Sequence, residues 1–197
     1  SLCSRPMQRI ADPLAQMGVE IKMDEGHAPL TILNSKRSGA RLKAVDYVLP
    51  MASAQVKSAV LLAALYADGR SCVTEPAPTR DHTERMLRGF AYEVESSGGH
   101  ICLEGGGELT ATRIDVPADI SSAAFFMVAA SISPGSQIRL MHVGVNPTRT
   151  GVINILREMG ADILFENARD VGGEPVADLL ISGAPLHGID IPEAWVP

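Results

Sequence analysis

Cysteine is scarce in this 197-residue chain, and its three copies, Cys3, Cys72 and Cys102, fall at no paired spacing. That excludes a zinc ribbon, makes a disulfide framework unexpected, and leaves a reduced cytoplasmic protein as the simplest reading. Long apolar runs are missing too. The longest, Ala59 to Ala67, is about half of what a bilayer span needs, so no membrane partner is expected. Clusters of Lys and Arg are absent and the net charge is -6, which argues against a nucleic-acid surface. Residues 1–10 carry two arginines and no apolar core, which is not a signal-peptide pattern. There is no Walker loop, no metal-ligand cluster and no evident nucleophile.

What is present is the composition of a folded protein, 46% hydrophobic and 20% charged, and an internal repeat. Met17-Gly18-Val19-Glu20-Ile21, Phe90-Ala91-Tyr92-Glu93-Val94 and Met159-Gly160-Ala161-Asp162-Ile163 each close a helical pattern and open a strand. Their starts lie 73 and 69 residues apart. A second pair interleaves with them. The Ala-rich run Ser53 to Ala67 leads into Gly69-Arg70-Ser71-Cys72-Val73, and Ser121 to Ile132 leads into Gly135-Ser136-Gln137-Ile138-Arg139. A unit of this length is one supersecondary element copied several times, each copy burying its face against its neighbours.

Within a repeat the pattern predicts helix, strand, strand, strand, helix. Met7, Ile10, Leu14 and Met17 are at helical spacing, which predicts a helix over 6–17 with Pro6 at N1 and Gly18 at C′. Val19, Ile21 and Met23 alternate with Glu20, Lys22 and Asp24 as a half-buried strand, and Gly98-Gly99 turns a hairpin into Ile101 and Leu103. The stretches 54–67 and 122–132 are apolar nearly all round, with Lys57 the only charge in either, so both helices are expected to be buried on every side. Amphipathic helices at 6–17, 81–90 and 149–159, with the sheets, should surround them. Helices inside and sheets outside is the reverse of an ordinary α/β barrel. A strand over 110–116 broken by Pro117 marks the internal boundary, with 1–116 in one domain and 117–197 in the next. The chain starts without Met inside a helical pattern and stops at Pro197 just after Trp195, which reads as an internal piece of a longer protein.

Several helix starts are rich in hydroxyls and preceded by breakers. Ser53 is an N-cap after Pro50, and the amides of Ala54, Gln55 and Val56 suit a phosphate as well as an ordinary cap. Gln55 adds a long donor. Arg80 stands just before a helix whose Asp81 and Glu84 fit a capping box, where its planar fork could grip an anion. His82 is a capping or surface histidine, with a proton carrier as the alternative. Arg5 is fixed beside a helix end by Pro6. Asp119 with Ser121 and Ser122, and Asn146-Pro147-Thr148-Arg149-Thr150-Gly151, are the matching starts in the second domain. This inventory fits small, multiply anionic substrates.

Five of these segments stand in the order seen in the 3-phosphoshikimate 1-carboxyvinyltransferase (EPSP synthase) family. They are Ser4-Arg5-Pro6-Met7, Ser53 to Ala59, Thr79 to Leu87, Asp119 to Phe126 and Asn146 to Gly151. The chain resembles the branch that includes glyphosate-insensitive bacterial enzymes, from Ser1 to Pro197. The resemblance implies an α/β (α+β) fold of repeated βαβαββ units forming inside-out α/β barrel domains with buried helices. It implies transfer of the enolpyruvyl group from phosphoenolpyruvate to the 5-hydroxyl of shikimate 3-phosphate, without cofactor or metal, by an enzyme that is a monomer as a whole. By family match, Ser53 and Ala54 hold the shikimate phosphate with help from Arg80, Gln55 touches both substrates, and Arg5 grips phosphoenolpyruvate. The family's general base falls beyond Pro197, so no catalytic residue is assigned, and the piece alone is expected to be inactive and able to self-associate. Its 122–132 helix is then expected to lack part of its cover. Two departures stand out, Cys3 ahead of the Arg-Pro pair and Ala91 where the other repeats have glycine. The sister transferases acting on UDP-N-acetylglucosamine use a loop cysteine, but Cys3 is only two residues before Arg5 and Ser53-Ala54-Gln55 fits the shikimate enzymes better. A non-catalytic anion-binding module on the same repeat is the other alternative.

Overall fold

The computed structural model describes residues 2–33, 41–192 and 195. Local chemistry builds the same piece three times. Helix α1 (Gln8–Gln16) ends in a Schellman motif: Gly18 has φ 91°, its N–H bonds the carbonyl of Ala15, and Val19 N–H bonds that of Leu14. Helix α5 (Gly151–Glu158) ends the same way, with Gly160 at φ 98° and Ala161 N–H on Leu156. After α3 (His82–Gly89) the equivalent residue is Ala91, which keeps φ at 58° although it carries a Cβ. The repeat thus imposes the left-handed conformation even where glycine is missing.

Each helix is followed by an antiparallel hairpin with a two-residue loop in which both residues have positive φ. The pairs are β1 (Ile21–Asp24) with β2 (His27–Ile32), β7 (Glu95–Ser97) with β8 (His100–Glu104), and β10 (Asp162–Val171) with β11 (Glu174–Ser182). The loops Glu25-Gly26, Gly98-Gly99 and Gly172-Gly173 have the φ signs of a type I′ turn, which matches strand twist.

The chain divides into two compact units, residues 1–79 with 90–110, and residues 80–89 with 111–197. In the first, β3 (Leu42–Lys43) pairs with β5 (Ala67–Asp68) in parallel, and a mixed sheet runs β4 (Asp46–Val48), β6 (Arg70–Thr74), β8, β7. Helix α2 (Ala54–Ala64) packs on this sheet through Val56, Val60, Leu61 and Ala64, all buried, against Val73, Ile101 and Leu103. In the second unit, β9 (Gln137–Gly144) joins the sheet in the order β10-β11-β9. Helix α4 (Ile120–Ser131) buries Ile120, Ala123, Met127 and Ala130 on that sheet together with Ile153 and Leu156 of α5. Asp178 on the central strand fills two bulges at once, accepting from His142 N–H at 2.8 Å on one side and from Asn167 Nδ2 at 2.8 Å on the other. The fold is mixed α/β, and no closed barrel forms among the described residues.

The structure corrects four expectations. Helix α1 begins at Gln8 with Met7 as N-cap, so Pro6 precedes the helix instead of occupying N1. Residues 110–117 form no strand, because among the described residues no neighbouring strand takes up their backbone groups; the nearest pairing is the isolated bridge of Ala118 with Val143. The two apolar helices are not buried on every side: Leu62 of α2 is 42% exposed, and α4 turns Phe125, 79% exposed, and Phe126, 56% exposed, to solvent, in keeping with the expectation that this helix lacks part of its cover. Cys72 and Cys102 are joined in a disulfide. Strand register makes that pair, setting the two residues directly opposite on β6 and β8, and an interval of 30 residues does not betray it. No helix is long and apolar enough to cross a membrane among the described residues.

Candidate functional site

Pro50 and the bends at 50–51 stop the chain from continuing β4, and Ser53 then takes an extended conformation, φ -155° and ψ 104°. From there its Oγ accepts from Val56 N–H at 3.4 Å, a long cap bond, while its carbonyl receives Lys57 N–H. The first turn of α2 therefore begins as the sequence predicts. Its opening amides, those of Ala54 and Gln55, belong to the group with no carbonyl partner inside the helix, and the helix dipole adds positive potential there. An anion at this end would meet backbone donors, the Ser53 hydroxyl and the exposed Gln55 amide.

Two cations missed by sequence reasoning flank this turn. Arg9, on the neighbouring α1, donates to Gln55 Oε1 at 3.2 Å, which leaves the Gln55 Nε2 hydrogens for another acceptor. Nothing in the local pattern singles out Arg9, since an exposed arginine on an amphipathic helix is ordinary. Lys57 did have a signal, as the lone charge in an apolar run. It is 1% exposed and pairs with Glu75 at 3.2 Å, and Glu75 in turn accepts from the Thr79 hydroxyl at 2.6 Å. This buried pair anchors the first turn of α2 to the segment that leads toward Arg80.

Arg5 is exposed at the bend between a short 3-10 turn and α1. Ser53, Ala54 and Gln55 are adjacent in the first unit, whereas Arg80 belongs to the second, exposed one residue ahead of Asp81. Asp81 accepts from Arg85 Nε at 2.8 Å and from Asn146 Nδ2 at 2.8 Å. Burial pushes its carboxyl pKa up, but the Asn146 bond and the Arg85 charge outweigh that and hold it below the ordinary value. Asn146 is 2% exposed and spends its whole side chain. It donates to Asp81 and to Glu174, and accepts from the amide and hydroxyl of Thr148. His82 Nδ1 meets Glu174 Oε1 at 2.8 Å, so this histidine takes a structural partner.

The two hydroxyl-rich starts of the second unit do come together. Asp119 caps α4 by accepting from Ser122 N–H at 2.9 Å, and that bond, with the nearby Arg149, holds its carboxyl pKa below the ordinary value. Arg149, from the 3-10 turn Pro147–Arg149, reaches Asp119 at 3.4 Å and the Ser121 hydroxyl at 2.5 Å. A cavity of about 520 Å³ in the first unit, lined by Arg41, Tyr66, Tyr92 and Leu109 among others, includes none of these residues.

Helix–hairpin modules copied three times, with the capped helices α2 and α4 between them, define an α/β repeat protein. The chain belongs to the EPSP synthase (3-phosphoshikimate 1-carboxyvinyltransferase) family, whose family model matches residues 1–197. It is 64% identical to the 3-phosphoshikimate 1-carboxyvinyltransferase of Alkalilimnicola ehrlichii and 64% identical to that of Methylococcus capsulatus, covering 100% of this chain and 44% of each relative. The solved EPSP synthase of Acinetobacter baumannii is 56% identical, with a TM-score of 0.87 over 100% of this chain and 44% of that one. The chain thus spans under half the length of the curated relatives it matches.

Proposed function

We propose that this chain forms part of an enzyme that transfers the enolpyruvyl group from phosphoenolpyruvate to the 5-hydroxyl of shikimate 3-phosphate. The observation that carries this reading is the match along the whole chain to relatives named for that reaction, eight of them at 58–64% identity. The relatives' name favours it over the sister reaction on UDP-N-acetylglucosamine. In this proposal Ser53 and Ala54 hold the shikimate phosphate at the α2 N-terminus with Arg80, Gln55 touches both substrates, and Arg5 grips phosphoenolpyruvate. The N-terminal turn of α2, with Ser53 and Ala54 half-buried and Gln55 exposed, supports the phosphate role, because orphan amides and a helix dipole act there together. By family resemblance the proposal extends to the branch that includes glyphosate-insensitive enzymes, a cytoplasmic location and a monomeric whole enzyme; its domain boundary at 116/117 lies six residues past the last crossing between the two units, at 110/111.

The test uses the chain extended to the relatives' full length. Charge-assisted hydrogen bonds contribute about 1.5–3 kcal/mol each, so Arg80→Ala should weaken shikimate 3-phosphate by roughly ten- to a hundredfold and phosphoenolpyruvate far less. Equal loss of both ligands rejects the assignment. Phosphate release by the 197-residue chain alone would reject the expectation that it is inactive.

A further inference from the structure

The outer face of the β4-β6-β8-β7 sheet carries a cluster that the transfer reaction does not use. Alternation along β6 sends Ser71 and Val73 inward, 1% and 0% exposed, and Cys72 and Thr74 to the other face. Register then sets Cys72 opposite Cys102 and Thr74 opposite His100. His100 and Cys102 are two apart on β8 and so share that face. The two sulfurs and a ring nitrogen of His100 all lie within 4.8 Å of one another. His100 Nε2 is 3.2 Å from Cys102 Sγ, and its Nδ1 is 2.8 Å from the Thr74 hydroxyl.

We propose that, once the Cys72–Cys102 bond is reduced, the two thiolates and His100 Nε2 form a three-ligand site for a soft divalent cation of the zinc class. Two thiolates and an imidazole are a donor set that zinc prefers, and two sulfurs cancel the charge of a divalent ion. Metal–ligand bonds of about 2.0–2.3 Å require donor atoms roughly 3–4 Å apart. Cys102 Sγ and His100 Nε2, at 3.2 Å, already have that span, and rotation about the Cα–Cβ bond of Cys72 brings its sulfur to it once the S–S bond is broken. Thr74 fixes the ring through Nδ1 and so aims Nε2 at the sulfurs, as a histidine ligand requires. The backbone ladder between the strands holds all three donors in place before any ion arrives. Cys102 is buried, but Cys72 is partly open and His100 exposed, which gives an entry path and leaves a fourth position for water.

Metal and disulfide are alternative uses of the same sulfurs. A dithiol reductant supplies two electrons and two protons and closes to its own disulfide. A phosphine supplies two electrons and becomes its oxide, while one water gives up its oxygen and both protons. Either way the S–S bond breaks to two thiols. Each bound cation then displaces two thiol protons into solvent as two metal–sulfur bonds and one metal–nitrogen bond form.

The test titrates the chain, reduced with a phosphine and freed of excess reductant, with Co2+ and with Zn2+ against a chromophoric chelator. One cation per chain, two protons released and sulfur-to-cobalt charge-transfer absorption are expected, and none of these in chain oxidised with diamide. Cys72→Ser and His100→Ala should each weaken binding by about tenfold or more, Thr74→Val by roughly ten- to a hundredfold, and Cys3→Ser not at all. Reduced chain that keeps its native circular dichroism but shows no cobalt–thiolate absorption overturns the proposal. So does binding lost in Cys3→Ser but kept in His100→Ala, or a reduced chain that unfolds, since the site requires the β6–β8 ladder.

Discussion

At Ala91 a side chain sits in a backbone region that L-residues enter at a cost of about 1–2 kcal/mol. The equivalent residues of the other two repeats are glycines, so the strain is local to this copy. Ala91→Gly should therefore raise stability by about 1 kcal/mol, read as a higher urea midpoint at unchanged slope. A midpoint that stays or falls would show that the turn has relaxed around the alanine. Lys57 offers the opposite case. It is 1% exposed with its partner Glu75 at 6%, and removing one member leaves a buried charge without its counterion. Lys57→Met should cost about 3–5 kcal/mol, and Lys57→Met with Glu75→Leu should recover most of it. A single substitution costing under about 1 kcal/mol would mean that water reaches Glu75.

Helix α3 is tied to β11 and to the Pro147–Arg149 turn through Asp81, Asn146 and Glu174. Because the folded pKa of Asp81 is depressed, its contribution is fully present above the unfolded value near 3.8 and is lost as pH falls below it. Denaturation followed from neutral pH down through that value should show Asp81→Asn losing less stability than the wild type over the acid limb. Parallel limbs would exclude Asp81 from the linkage. Elements with local causes were legible in the sequence: the Ser53 cap, the Gly18 and Gly160 helix ends and the Gly98-Gly99 hairpin all follow from chemistry within a few residues. The Asn146 network, the Arg9–Gln55 contact and the Cys72–Cys102 pair were not, because each joins residues from separate elements and depends on packing or strand register. The strand expected over 110–116 failed for the same reason, since alternation alone does not supply a partner.

Across the molecule, the two apolar helices differ in how much of their surface is covered. α2 buries Val56, Lys57, Val60, Leu61 and Ala64, while α4 leaves Phe125, Phe126 and Val128 exposed, as is its C-cap Ile132. Burial of an apolar side chain is worth about 1.5–3 kcal/mol, so α4 lacks stabilisation that its sequence could draw on. Hydrogen exchange on a verified monomer should show amides of 122–132 less protected than those of 54–67, and equal protection would refute this. The same face predicts association as concentration rises, which the monomer check controls for. Finally, the backbone passes between the two units at 79/80, at 89/90 and at 110/111. A recombinant that exchanges sequence at a single crossover within 90–110 inherits α3 from one parent and the β11 on which it packs from the other. Viable chimaeras of this family should instead be those whose three crossovers, at 79/80, 89/90 and 110/111, carry residues 80–89 together with the segment after 110.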